Sequence, residues 1–145
     1  MKGFKFGLER VLRYKDLIVG QREAELREAA EKHNSHRRQL ARLEELMEQR
    51  RKEFFAGRLE PHRLIHRSAA IQFLQQQIIE QKKLLVQASK KVRESRGRLV
   101  EAKQEHQVLE KLKERHLLEY GYEMAKREQK ELDEIATSAY IRRSI

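Results

Sequence analysis

His62 and His66 stand four residues apart, the spacing that places two imidazoles on one helix face and supplies half of a zinc site. The other half is hard to find. The chain has no cysteine, which excludes thiolate metal sites, a cysteine nucleophile and a disulfide framework. His33 and His36 lie elsewhere, and His106 and His116 stand separately. His33 and His36 fall on the seam, where a polar residue that fixes register is expected rather than a metal ligand. Ser35, Ser68 and Thr137 have no base at a defined spacing, and no glycine-rich loop could cradle a phosphate. The carboxylate pairs Glu44-Glu45 and Asp133-Glu134 carry no sign of the burial that would tune them for acid–base work. No catalytic, metal or cofactor-binding residue is expected, and the chain does not read as an enzyme.

The elements that carry these residues are helical. Of the 145 residues, 39% are charged and 6% aromatic, with a single proline, no tryptophan and a mean hydropathy of −0.89. Alanine, glutamate, lysine, leucine and arginine make up more than half of the chain, the composition of long helices and coiled coils. No run alternates with a strand's period of two, so a doubly wound enzyme and a β-sandwich are excluded.

Two seven-residue patterns run along the chain. The first takes in Leu8, Leu12, Val19, Leu26, Ala29, Leu40, Leu43, Met47 and Phe54. The second takes in Ile71, Leu74, Ile78, Leu85, Ala88, Val92, Leu99, Ala102 and Leu109. Between them lies Gly57-Arg58-Leu59-Glu60-Pro61, where Gly57 suits a left-handed helix end and Pro61 suits the first turn of the next helix. The fold class is therefore all-α, a long antiparallel two-helix coiled coil in one domain, 1–145. Helix one is expected over about 4–56, the bend over 57–61 and helix two over about 62–141. At 1.5 Å per residue the arms would measure roughly 75 and 120 Å. Gly20, Gly97 and Gly121 interrupt the helical pattern as soft points or places of close backbone approach.

Unequal arms leave one end open. A bend at 57–61 sets Phe4 opposite about Glu114, so the rest of the second helix has no partner. That part still carries Leu117, Leu118, Tyr120, Tyr122, Met124, Leu132, Ile135 and Tyr140. An amphipathic helix that cannot bury its apolar stripe frays or binds something. Near the bend, Ile71, Phe73, Leu74, Ile78 and Ile79 supply more apolar positions than one seam uses, with Phe54 and Phe55 across from them. Tip packing and a protein contact surface both account for this surplus.

The formal net charge is +10. Lys82, Lys83, Lys90, Lys91, Arg93, Arg96 and Arg98 face only one acid in their stretch, Glu94, but on a single helix they fan around most of the surface outside the seam. Aromatic residues for stacking on nucleic-acid bases are missing from that stretch, and the heptads continue straight through it. The cations read as a solvated face, and no nucleic acid is expected as a partner. No apolar run approaches the ~20 residues of a membrane span, and Met1-Lys2-Gly3-Phe4 leads into no signal-type segment, so a soluble cytoplasmic protein is expected.

Both ends carry family-like motifs. Phe4-Lys5-Phe6-Gly7-Leu8-Glu9-Arg10-Val11-Leu12 resembles the opening of the flagellar export protein FliJ family, with aromatic-x-aromatic-x-Leu followed by a Val-Leu pair. Leu109-Glu110-Lys111-Leu112-Lys113-Glu114-Arg115 and Glu128-Gln129-Lys130-Glu131-Leu132-Asp133-Glu134-Ile135-Ala136 resemble two further signatures, in the same order and spacing. The resemblance implies a stalk-like coiled coil of the type III export apparatus, similar to the central stalk of rotary ATPases. It implies contacts with a hexameric export ATPase (FliI-like), an export gate protein (FlhA-like) and export chaperones. It also implies a peripheral place at the cytoplasmic face of the inner membrane, held there through the apparatus. By position, Phe4, Leu8, Leu117, Tyr120, Met124, Leu132 and Ile135 fall at the ATPase end. Gln39, Leu43, Leu46, Ile71 and Ile78 fall where the family presents gate-facing residues, while Arg50 and Lys82 stand where an aromatic and a histidine can occur. An export chaperone for substrate tails and a basic coiled-coil nucleic-acid binder are the alternative readings.

Overall fold

The computed structural model describes residues 3–57 and 60–144. Met1, Lys2 and Ile145 lie outside the described residues, as do Arg58 and Leu59 of the expected bend. Helix α1 spans Glu9–Phe54 and helix α2 spans Pro61–Ser144, and no strand occurs among the described residues. The two form a helical hairpin. By contacts the chain divides into two units, Met1–Val19 with Ala102–Ile145, and Gly20–Glu101.

In the 20–101 unit, the two heptad patterns meet along one seam. Met47, Leu74, Ala88 and Leu99 are buried, and the other apolar positions of both patterns in this unit are half-buried. Gln81 is buried on the same line, and its side-chain amide donates to His36 Nδ1 and to the His36 carbonyl, both at 3.0 Å. Because the amide nitrogen can only donate, Nδ1 is the acceptor in this pair. A buried polar pair of this kind is satisfied only in one register. His36 is thus tied across the seam to Gln81.

The bend is built from three devices. Gly57 adopts φ 81°, a left-handed conformation that a Cβ would strain, and the Ala56 amide donates to the Glu53 carbonyl at 3.0 Å. Glu60 precedes α2, its carbonyl accepting from the amides of Arg63 and Leu64 at 3.1 Å, so Pro61 occupies the first helical position, where no amide donor is required. The third device is Arg67, which reaches back from α2. Its Nη1 donates to the carbonyls of Glu53, Phe54 and Ala56 at 2.8, 3.0 and 2.9 Å. A helix leaves its last carbonyls unpaired and slightly negative, and a guanidinium answers both needs.

In the other unit the structure departs from the sequence expectation. α1 begins at Glu9, not near residue 4, and Phe4–Leu8 precedes it outside the helix. Phe4 packs on Tyr120 with ring centroids 5.5 Å apart, and Phe6 packs edge-on against His116 at 5.6 Å. Residues two apart share a face only when the backbone is extended; in a helix they would diverge and one ring would lose its partner. After Phe6 the chain turns into the helix at Gly7 and Leu8, the Glu9 amide donating to the Phe6 carbonyl at 3.1 Å. Lower down, Phe6, Leu12 and Ala102 are buried. Glu9–Lys113 at 2.9 Å and Lys15–Glu105 at 2.7 Å flank this packing, while His106 lies between Asp16 and Glu110.

Both helices continue through Gly20, Gly97 and Gly121. A Cβ built at any of the three meets nothing within 4 Å, so close backbone approach is not their role. Each is a soft point that weakens its helix by about 1 kcal/mol relative to alanine.

Candidate functional site

The residues that could do chemistry are not gathered. His62 faces Glu60 at 3.3 Å, and no group of three or more His, Asp or Glu side chains among the described residues could hold a metal ion. The Thr137 hydroxyl donates to the carbonyl of Asp133 at 2.7 Å, a bond within its own helix. What the structure offers instead is apolar surface without a cover.

One such surface lies on α2 in the unit that contains the N-terminal segment. Tyr120 and Met124 are half-buried, and Tyr120 is occupied by Phe4. These two expected contact residues are thus partly used in the hairpin's own packing. The uncovered part of the helix begins after Met124, because every residue from 125 to 144 is exposed. Within it Leu132, Ile135, Ala136, Ala139 and Tyr140 follow the i, i+3, i+4, i+7, i+8 rule of one helix face. Leu132 is 60% exposed and Ile135 65%. Leu8 and Leu117 are exposed nearer the packed part. Glu131, Glu134 and Arg142 line a groove together with Ile135 and Ala139 of the stripe, so its rim is of mixed charge.

The second surface belongs to the 20–101 unit, and two sets of grooves define its flanks. Lys32, Leu84, Gln87 and Lys91 line a groove on one side of the seam. Glu44, Arg51, Gln75, Ile79 and Lys82 line a groove on the other. Counting in sevens from Lys32 places Gln39 and Leu46 on the first flank. Leu43, Ile71 and Ile78 are half-buried in the seam itself, and Ile71 and Ile78 reach the surface through the grooves of the second flank. The five expected gate residues therefore do not form one patch. The exposed apolar residues of α2 nearest in kind to Leu46 are Leu84 on the first flank and Phe73 farther round. Arg50 pairs with Glu53 at 3.0 Å, and Lys82 lines the second groove. Reading the flank positions of the heptad, beyond its seam, is the signal that brings out Leu84.

A family model described as Flagellar FliJ protein matches residues 4–144. The chain belongs to the FliJ family. Comparison with curated proteins and with solved structures returned no match. Membership makes this chain a component of the flagellar export apparatus, in a family whose role there is non-catalytic. Among the described residues of this FliJ-family hairpin, no helix is long and apolar enough to cross a membrane.

Proposed function

We propose that the hairpin is the stalk-like element of the export machine, binding and promoting a hexameric export ATPase and coupling it to the export gate and to chaperones. It does so at the cytoplasmic face of the membrane, held there by the apparatus. The observation that carries this reading is the exposed stripe of Leu132, Ile135, Ala136, Ala139 and Tyr140 on α2, beyond the last residue packed against the N-terminal segment. A ring lumen would cover this stripe, each large apolar side chain contributing ~1.5–3 kcal/mol when buried. The mixed-charge rim would orient the encounter more than strengthen it. Gate contact falls to the other unit, through Gln39, Leu43 and Leu46, with Ile71 and Ile78 supporting them from the seam.

The test separates the two contacts. Replacing Leu132 and Ile135 together with aspartate alters only exposed positions, so helicity should be unchanged. ATP turnover by the cognate ATPase should then require at least tenfold more of the hairpin, a loss of about 1.4 kcal/mol or more, while capture of the gate's cytoplasmic domain stays as before. Leu46→Asp should give the reverse pattern. Full stimulation by the Leu132/Ile135 variant would remove the stripe from the ATPase contact.

A further inference from the structure

The cations of α2 look scattered when that helix is taken alone; with α1 beside them they divide unequally between the two flanks. On the first flank, Lys32, Lys91 and Arg98 share a groove with Glu25, Glu28 and Glu94, and the charges balance. The second flank differs. Counting in sevens from Glu44 and Gln75 sets Arg37 on α1 and Lys82, Ser89 and Arg96 on α2 along it. One position farther out, counting from Glu48 and Ile79 adds Arg27, Asn34 and Ala41 on α1, and Val86, Arg93 and Val100 on α2.

Between Glu23 at one end and Glu44 at the other, this flank holds no carboxylate. Arg27, Arg37, Lys82, Arg93 and Arg96 are all exposed, and none makes an ion pair among the described residues. Arg37 and Lys82 occupy facing positions across the seam, adjoining the His36–Gln81 pair. Like charges so placed repel, and the sequence puts no acid between them. Interleaved with these cations are Ile79, Val86 and Val100, which are 49%, 67% and 48% exposed. Aliphatic side chains beside phosphate-binding cations do not suit a polynucleotide, which would leave them unburied next to a charged backbone, and the flank has no aromatic ring to stack on a base. A bilayer interface accepts both kinds, the cations at acidic headgroups and the short aliphatics at the acyl boundary.

We infer that this flank of the 20–101 unit is a docking face for an anionic lipid bilayer. The inference rests on the charge distribution of that unit and is independent of the ATPase contact proposed above; with the gate contact it shares the groove of Ile78 and Lys82. The 20–101 unit would then lie sideways on the membrane, with its balanced flank turned to water and free for protein partners.

Vesicle co-sedimentation of the full chain tests this, with vesicles of phosphatidylcholine alone and of phosphatidylcholine with one-third phosphatidylglycerol. The test variant combines Arg37→Gln, Lys82→Gln and Arg96→Gln. The control, Lys32→Gln, Lys91→Gln and Arg98→Gln, removes equal charge from the other flank. Binding should require phosphatidylglycerol and fall by at least tenfold in the test variant, since each cation at an anionic surface contributes about fivefold. The control should lose no more than about threefold. Val86→Gln alone, which changes no charge, should also weaken binding. Equal losses in the two triple variants would overturn the inference, as would failure of the native chain to bind acidic vesicles at low salt. Tighter binding to a mixed-sequence DNA duplex, lost in the same test variant, would overturn it too and mark the flank as a nucleic-acid surface.

Discussion

Replacing Arg67 with methionine should lower the unfolding free energy of the hairpin by about 2–3 kcal/mol, measured by urea denaturation followed by circular dichroism. One guanidinium nitrogen serves the carbonyls of Glu53, Phe54 and Ala56, and it has two hydrogens to share among them. Hydrogen bonds to a charged donor are worth about 1.5–3 kcal/mol each when shielded. These are only partly shielded, so the three together come to the value of about one strong bond plus the ~0.3–1 kcal/mol of a cation at a helix C-terminus. Methionine keeps the packing of the aliphatic stem. Arg67→Lys keeps the charge and should recover the smaller helix-end contribution while losing the fork. A methionine variant within 0.5 kcal/mol of the native chain would mean that water serves the three carbonyls equally well.

The second large effect is a pair of opposite signs at equivalent seam positions. Leu74 and Gln81 are seven residues apart, and both are buried, at 6% and 8% exposure. Leu74→Ala should cost about 2–3 kcal/mol, the low part of the range for core leucines, because a two-helix seam can close partly around the gap. Gln81→Leu combined with His36→Leu should do the reverse and raise the unfolding midpoint, since both partners give way to apolar burial and no ring acceptor is left unsatisfied. The gain comes at the expense of register. A seam without its polar pair tolerates other alignments, including pairing with a second chain, so sedimentation should show associated species that the native chain lacks. A Gln81→Leu/His36→Leu variant less stable than the native chain would show that the pair contributes net stability rather than specificity.

Much of this architecture was legible because the seam repeats. A heptad pattern carried by Leu74, Ala88, Leu99 and Ala102 predicts burial residue by residue, and Gly57 and Pro61 mark the bend by backbone preferences that no other residue types share. The start of α1 was not legible. Phe4-Lys5-Phe6 followed by a leucine fits an amphipathic helix as well as an extended segment, and only the partners Tyr120 and His116, more than a hundred residues away in sequence, decide between them. That choice moved the boundary of the uncovered surface from about residue 114 to beyond Met124. Arg67 was hidden for a different reason: one arginine in a helix rich in charge carries no mark of its geometry. The binding flanks were half legible. Seam positions stand out in a single helix, but the division of charge between flanks exists only once both helices are placed.

The order of cross-helix bonds along the hairpin also sets an order in time. Arg67 joins residues 14 apart or fewer, His36 and Gln81 are 45 apart, and Lys15 and Glu105 are 90 apart. Closing a chain loop costs more entropy as the loop lengthens, so the shortest is the natural nucleus. Once it has formed, each further turn of seam lengthens the loop by only a few residues, and pairing spreads outward like a zipper. Breakage runs the other way, from the aromatic contacts of Phe4 and Phe6 inward. Amide hydrogen exchange should therefore be slowest around Met47 and Leu74 and grow faster toward Leu12 and Leu109; uniform protection along both helices would show that the hairpin opens as one block. A protein built this way can release its N-terminal aromatic pair, and with it Tyr120 and His116, while the seam around Met47 and Leu74 stays closed.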